Sequence, residues 1–171
     1  PGFDTLGTLK HLRQTGYDYS WFVLTEKIIK KEFALSGSEQ NPDLTGKDIK
    51  LLPERARKGP GPVKSFMEHG EDFVVAENLT ALVHGMNGLA EKDPTGPQID
   101  EGELRRIIEA RDREIANNFT KDAQVTALYA ARHYRGDKLQ RTAKPHRILD
   151  PEAGPLIAVK LHILSRKSLG G

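Results

Sequence analysis

The sequence predicts an α+β fold that is mainly helical and contains a small β-sheet. Helical periodicity, with apolar residues three and four positions apart, recurs in several segments and is longest at residues 100–119. Period-two alternation, which is typical of a strand, is clearest near the C-terminus. There one predicted face carries Ile157, Val159, Leu161 and Ile163, and the other carries Ala158, Lys160 and His162.

The first third of the chain predicts two helices around one strand. Asp4 can cap a first helix, and Gly16 provides its stop. The apolar run at residues 21–25 predicts a short buried strand, and residues 26–35 keep a rough helical spacing. Residues 36–62 are polar and rich in Gly and Pro, which predicts a long surface excursion.

The middle of the chain predicts a helix, a short extended piece and a second helix. Residues 63–69 form the first helix, and residues 73–75 form the extended piece. Asn78 then caps a helix that we expect to end near Gly85 or Gly88, since glycine weakens a helix interior.

The strongest helix signal begins at Asp100, which forms a capping-box pattern with Glu103. A second helix is predicted for residues 122–134, and a basic, proline-containing loop for residues 135–153. The apolar stripe predicted for the helix that begins at Asp100 consists of Leu104, Ile107, Ile108, Ile115 and Phe119.

Composition indicates a soluble globular protein and excludes several kinds of chemistry. The chain has 171 residues, 37% of them hydrophobic, and no cysteine. The absence of cysteine excludes disulfides, thiol catalysis and cysteine-type zinc sites, and it is compatible with a cytoplasmic location. The formal net charge of +2 gives no electrostatic case for nucleic acid, and no apolar run approaches the length of a membrane span.

No motif of the chain nominates a catalytic set by itself. The dinucleotide motif G-x-G-x-x-G and the phosphate-binding P-loop are both absent, and the six histidines lack the spacing of metal ligands. A basic region at residues 132–147 suits an anionic ligand or cofactor phosphates, or is a solvated loop. Four glutamates of the arginine-rich helix 100–119 are better explained by i to i+4 ion pairs on a solvated face than by catalysis: Glu101, Glu103, Glu109 and Glu114.

The C-terminal segment carries a recognisable pattern of eight residues: Gly154, Pro155, Ala158, Val159, Lys160, Ser168, Gly170 and Gly171. In these residues it resembles the closing segment of the fumarate reductase/succinate dehydrogenase flavoprotein family, which includes 3-ketosteroid dehydrogenases. Upstream, residues 21–24 resemble the first strand of that family's capping domain, and residues 73–79 and 99–118 resemble its later segments.

This resemblance implies a mainly helical capping domain at residues 1–153. Residues 154–171 would be a strand and a Gly-Gly turn that return to an FAD-binding domain of the same parent chain. FAD would be bound by that domain, and the cap would close over it so that hydride passes between a small-molecule substrate and the flavin. The long apolar strand ending in Gly-Gly, with nothing expected to pair or cover it, also suggests a piece of a larger protein.

Departures from the family's pattern bear on the substrate. Lys167 occupies the place of a substrate-binding histidine, and Phe3 occupies that of a proton-donating arginine, which argues against fumarate or succinate. The pair Leu156-Ile157 stands where aromatic residues are common, so a tyrosine that would stabilise an enol there is missing. A ketosteroid-like enone or ketone is the substrate that the resemblance favours.

The resemblance implies a substrate-binding or flavin-proximal set of Lys167, Ser168, Gly170 and Gly171. Lys167 would polarise a carbonyl or meet an anion, or it is a solvent-facing turn lysine. Ser168 and the Gly170 amide would act as hydrogen-bond donors. The competing hypothesis is a helical interaction module without catalytic activity, whose amphipathic helices at residues 79–87, 100–119 and 122–134 bind a partner protein.

Overall fold

The computed structural model describes residues 5–32, 61–93, 95–130, 133–140 and 143–162. Within these ranges the chain forms helices around a three-stranded antiparallel sheet. The strands are β1 (Tyr19–Thr25), β2 (Phe73–Ala76) and β3 (Leu156–His162). The helices are α1 (Thr5–Thr15), α2 (Glu26–Glu32), α3 (Gly61–His69), α4 (Leu79–Ala90), α5 (Glu101–Ala116), α6 (Ala123–Ala130) and α7 (Arg135–Gln140), with a 3₁₀ turn at Pro151–Ala153.

The C-terminal strand β3 lies in the middle of the sheet, between β1 and β2. Val159 is opposite Phe22 of β1 and also opposite Phe73 of β2. The expectation that nothing pairs this strand is therefore wrong for residues 156–162. The assignment of these elements to a capping domain, and a domain boundary at residue 154, stay predictions.

Both faces of the sheet are covered by helices, so β3 is buried on both sides. Ala158 packs with Leu82 and Met86 of α4 in the larger apolar cluster. Ile157, on the opposite face, packs with Ile29 of α2 and Val63 of α3. The alternating pattern of β3 therefore places apolar residues toward two layers of helices.

Helix α4 begins where the sequence predicts and continues further than expected. The side chain of Asn78 caps it by accepting a hydrogen bond from the Ala81 amide at 2.9 Å. The predicted end near Gly85 or Gly88 is wrong, because α4 runs to Ala90. The buried face of this helix offsets the cost of its two glycines, which is about 1 kcal/mol each.

Helix α5 is capped by Asp100, whose side chain accepts a hydrogen bond from the Glu103 amide at 2.7 Å. Of its predicted apolar stripe, Ile108 and Ile115 are buried. Ile107 is 57% exposed, and Phe119 lies beyond the helix end and is 90% exposed. The stripe is therefore narrower than predicted.

The connections also differ from the prediction. The stretch 135–153, expected as a loop, contains α7 and the 3₁₀ turn. Most of the predicted surface excursion, residues 36–60, lies outside the described residues, while Gly61 and Pro62 already belong to α3. Proline fits a first helical turn because its missing amide would have had no partner there. No helix in the described part of the chain is long and apolar enough to cross a membrane.

Candidate functional site

The site residues predicted from the family resemblance are not among the residues that the structure describes. Lys167, Ser168, Gly170 and Gly171 all fall outside the described residues, which end at His162 on this side. Phe3 also lies outside them. Their proposed roles stay predictions, and the site described below is built from other residues.

A cavity of about 400 Å³ lies beside β1. It is lined by β1, α2, α5, α6 and residues 143–148, which are far apart in the sequence. This volume is within the range of small-molecule pockets, which are mostly apolar with a few placed polar groups. Its main apolar wall is formed by Leu24, Ile28, Leu104, Ile108, Leu128 and Ile148.

One side of the cavity carries a polar network centred on Asp112, which is buried. Its two carboxylate oxygens accept hydrogen bonds from the backbone amides of Ile148 at 2.8 Å and Leu149 at 3.0 Å. The Arg111 Nη1 group donates to Asp112 Oδ1 at 3.0 Å and to the His146 carbonyl at 3.3 Å. Asp112 and Arg111 together hold segment 143–149 against α5.

His146 connects the same segment to the sheet. Its Nδ1 atom lies 2.7 Å from the Lys144 carbonyl, and its Nε2 atom lies 2.8 Å from the hydroxyl of Thr25, which is fully buried. A carbonyl oxygen can only accept, so Nδ1 carries the proton in the neutral ring. Nε2 then accepts from the Thr25 hydroxyl, and both ring nitrogens are engaged.

A second polar cluster surrounds Lys160 on the central strand. The Lys160 ammonium is buried, lies 3.5 Å from Asp93 Oδ2 and sits 4.2 Å from the centre of the Tyr19 ring. Hydrogen bonds from Thr95 lower the pKa of the Asp93 carboxyl, and Lys160 adds to this effect. Burial raises the pKa of Tyr19, and electrostatic interactions with Asp93 and then with Tyr17 raise this pKa further.

The second cluster also contains two buried hydrogen-bond donors. Among the described residues no partner is found for the Tyr19 hydroxyl or for the Trp21 indole nitrogen. Tyr19 and Trp21 pack edge to face, with ring centres 5.9 Å apart. An unsatisfied buried donor costs about 1–3 kcal/mol, so this cluster lowers stability relative to a fully paired one.

Sequence reasoning assigned the charged residues of α5 to a solvated face and so missed Arg111 and Asp112. The missed signal is the position of Asp112, which follows Ile108 by four residues and precedes Ile115 by three. It therefore lies on the apolar stripe, where a carboxylate must have buried partners. His146 belongs to the basic region at residues 132–147, but it meets Thr25 and not an anion.

Comparison with known proteins decides the family. The family model described as "FAD binding domain" matches residues 7–171. The chain belongs to this FAD-binding family. The predicted membership in a family of FAD-dependent flavoprotein dehydrogenases is thereby confirmed, and FAD is the cofactor of this family.

Curated relatives of this family member carry one recurring name. A "KsdD-like steroid dehydrogenase" of Mycolicibacterium smegmatis is 56% identical over 172 residues, which cover 100% of this chain and 31% of that protein. Proteins of the same name from Mycobacterium tuberculosis strains CDC 1551 and H37Rv are 57% and 56% identical over 173 residues, with 100% of this chain and 30% of each covered. The chain thus spans about 30% of these relatives. No solved structure matches it.

The described residues do not fit the dinucleotide part of FAD. Such a ligand is held where a parallel βαβ unit places a glycine-rich turn and an open helix N-terminus against its phosphates. In the described ranges all strand pairs are antiparallel. The N-termini of α4 and α5 are closed by the side chains of Asn78 and Asp100. The described residues also contain no group of three or more side chains placed to hold a metal ion.

Proposed function

We propose that this chain is the substrate-covering part of an FAD-dependent dehydrogenase that acts on a carbon–carbon bond next to a carbonyl, in a ketosteroid or similar compound. The observation that carries the proposal is the 56% identity, over the whole chain, with a protein named as a steroid dehydrogenase. FAD would be bound by another part of the same parent chain, and the protein would be cytoplasmic.

The cavity beside β1 supports an apolar substrate. Its volume of about 400 Å³ and its wall of leucine and isoleucine side chains suit a rigid, fused-ring molecule. Burying such a molecule removes apolar surface from water, which contributes a favourable free energy of about 25 cal/mol per Å² of buried surface. The charged side chains Glu32, Arg111 and Lys144 line the same cavity and offer contacts for a polar group.

The residues of this chain would bind and shield the substrate. An apolar enclosure excludes water and strengthens the electrostatic interactions inside it. Lys167, with Ser168 and the Gly170 amide, would polarise a substrate carbonyl beside the flavin. By the family resemblance, Lys167 stands in the place of a substrate-binding histidine and Phe3 in that of a proton-donating arginine, which argues against fumarate or succinate as the substrate.

The visible absorption spectrum of the uninterrupted natural gene product tests this proposal. The protein would be purified without added cofactor, and flavin bands in stoichiometric amount are expected. Anaerobic addition of a ketosteroid should then bleach these bands as the flavin is reduced. The 171-residue chain, prepared in parallel as the control, should be colourless.

A colourless full-length protein that gains no flavin on reconstitution would contradict the proposal. The competing hypothesis, an interaction module formed by α4, α5 and α6, would then be preferred. A flavin-containing protein that no ketosteroid bleaches would retain the cofactor assignment and overturn the substrate class.

A further inference from the structure

We infer that Arg111 is the polar anchor of the cavity beside β1 and binds a ketone oxygen of an otherwise apolar ligand. This inference deepens the proposed function, because it names the group that orients a steroid-like molecule in the cavity. Within the described residues, some hydrogen-bond donors of Arg111 have no partner. The guanidinium group has five N–H donors.

Within the described residues, a single nitrogen of Arg111 makes hydrogen bonds to the protein. Nη1 donates to Asp112 Oδ1 at 3.0 Å and to the His146 carbonyl at 3.3 Å. Among the described residues no hydrogen-bond partner is found for Nε or Nη2. The side chain is only 27% exposed and is part of the cavity lining.

The anchoring of Nη1 also prepares the group for a ligand. Asp112 is itself held by the amides of Ile148 and Leu149, so the position of Arg111 is set by α5 and by segment 143–149 together. A side chain held in this way loses less conformational entropy when it binds than a free surface arginine does. The anchor is therefore preorganised.

Local charge favours a neutral oxygen over a carboxylate. Asp112 supplies a counter-charge to Arg111 at 3.0 Å, and the Glu32 carboxylate lines the same cavity. An anionic ligand would lie near the Glu32 carboxylate, and the charge of Arg111 is already balanced by Asp112, while Lys144, the other cation of the lining, is exposed. A ketone accepts hydrogen bonds without adding charge, so it matches the cavity best.

The fluorescence of Trp21 provides a direct test in this chain, without flavin or turnover. Trp21 is the single tryptophan of the sequence and lines the cavity, so an occupant should change its emission. The probes are androstanedione, which has a ketone at each end of its fused rings, and the two androstanones that retain one ketone each. Each is titrated into the wild-type chain and into Arg111→Met, with Arg106→Met as the control. Arg106 is exposed on the same helix.

We expect Arg111→Met to weaken androstanedione and one of the two androstanones about tenfold, and to leave the other unchanged. The ketone shared by the two weakened probes identifies the bound oxygen. Arg106→Met should bind all three as the wild type does. Arg111→Lys, which keeps the charge and loses the planar fork, should show an intermediate loss with the same preference.

Three results would overturn the inference. The first is an unchanged affinity of both Arg111 variants for all three probes. The second is an equal loss of affinity for all three probes, and the third is the absence of a Trp21 response to any probe in the wild type. These results concern the cavity alone, whereas failure of the proposed function appears as a colourless full-length protein, so the two failures are distinguishable.

Discussion

At the scale of single residues, Asp112 shows how one buried carboxylate organises a cavity wall. It satisfies two backbone amides of segment 143–149 and pairs with Arg111. Without it, two amides would lose their acceptor, at about 1–3 kcal/mol each if they stay buried. The wall that carries His146 and Ile148 therefore depends on a residue of α5, far away in the sequence.

The sequence predicts which residues point to each face better than it predicts their polar partners. Lys160 lies on the same strand face as Ala158, as the alternation indicates. Its partner Asp93 lies in a turn more than sixty residues earlier, and nothing local connects the two. Asp112 could have been recognised by its place on an apolar stripe, but its acceptor role depends on where segment 143–149 returns.

Replacing Tyr19 by Phe should stabilise the protein by about 1 kcal/mol. The Tyr19 hydroxyl is buried without a partner in the described structure, so removing it removes an uncompensated desolvation cost. The ring that lies 4.2 Å from the Lys160 ammonium is retained. The free energy of unfolding in urea measures the change.

Lys160→Met serves as the comparison for the same cluster. It removes the ion-pair partner of Asp93 and the cation over the Tyr19 ring, so stability should fall.

A loss of about 1 kcal/mol or more of stability in Tyr19→Phe would contradict the prediction made for that variant. It would mean that the hydroxyl is hydrogen-bonded in solution, for example to a buried water.

At the scale of elements, the starts of α4 and α5 were predicted correctly and their ends were not. Asn78 and Asp100 cap α4 and α5 as their residue types indicate, because capping is a local interaction. The end of α4 is set by tertiary contacts, since Met86 and Ala90 are buried beyond Gly85. Propensity alone therefore placed the end too early.

The two glycines of α4 should respond oppositely to the same substitution. A Cβ at Gly85 would clash with Val74 Cγ1, so the Val74 side chain, the helix or the strand would have to shift. Overpacking in Gly85→Ala should cost about 1–3 kcal/mol of stability. The higher helix propensity of alanine should offset up to about 1 kcal/mol of this cost, so we expect a net loss of stability. A Cβ at Gly88 meets nothing within 4 Å, so Gly88→Ala should raise stability by about 0.5–1 kcal/mol. Urea unfolding of both variants checks the signs.

A second substitution checks the cause assigned to the Gly85 effect. Val74→Ala removes the methyl group that the new Cβ would meet, so the loss in Gly85→Ala should be smaller in the Val74→Ala background. If the stability losses of Gly85→Ala and Val74→Ala are additive, or if Gly85→Ala alone stabilises the protein, α4 does not pack against β2 in this way.

At the scale of the whole molecule, the sheet unites segments from both ends of the described chain. β3, near the C-terminus, joins β1 and β2 and is buried by helices on both faces. Strand existence was predictable from local patterns, but strand order was not, because pairing depends on contacts between distant segments. The cavity is lined by five segments that are far apart in the sequence, so no local sequence pattern predicted it.

Two carboxylates form a hydrogen bond or an ion pair between distant segments, and we therefore expect the folded protein to lose stability in acid. Glu101 accepts hydrogen bonds from Arg105 on its own helix and from Thr80 on α4, and these partners, Arg105 first, lower its pKa. Asp93, whose pKa is lowered by Thr95 and then Lys160, ties a turn to β3. Both groups are more acidic folded than unfolded. Their contribution is therefore present above the ordinary carboxyl pKa and is lost as pH falls through the lowered values.

We expect the urea midpoint to be lower at about pH 3 than at about pH 7, with most of the change below about pH 4.5. The double variant Asp93→Asn/Glu101→Gln separates these two groups from the other carboxyls, because neither replacement titrates. Its midpoint should be lower than that of the wild type at neutral pH, and it should change less between the two pH values. An unchanged acid dependence in the double variant would contradict the assignment. The acid loss would then come from charge repulsion spread over the molecule, and the links from α4 to α5 and from the Asp93 turn to β3 would contribute little to folding.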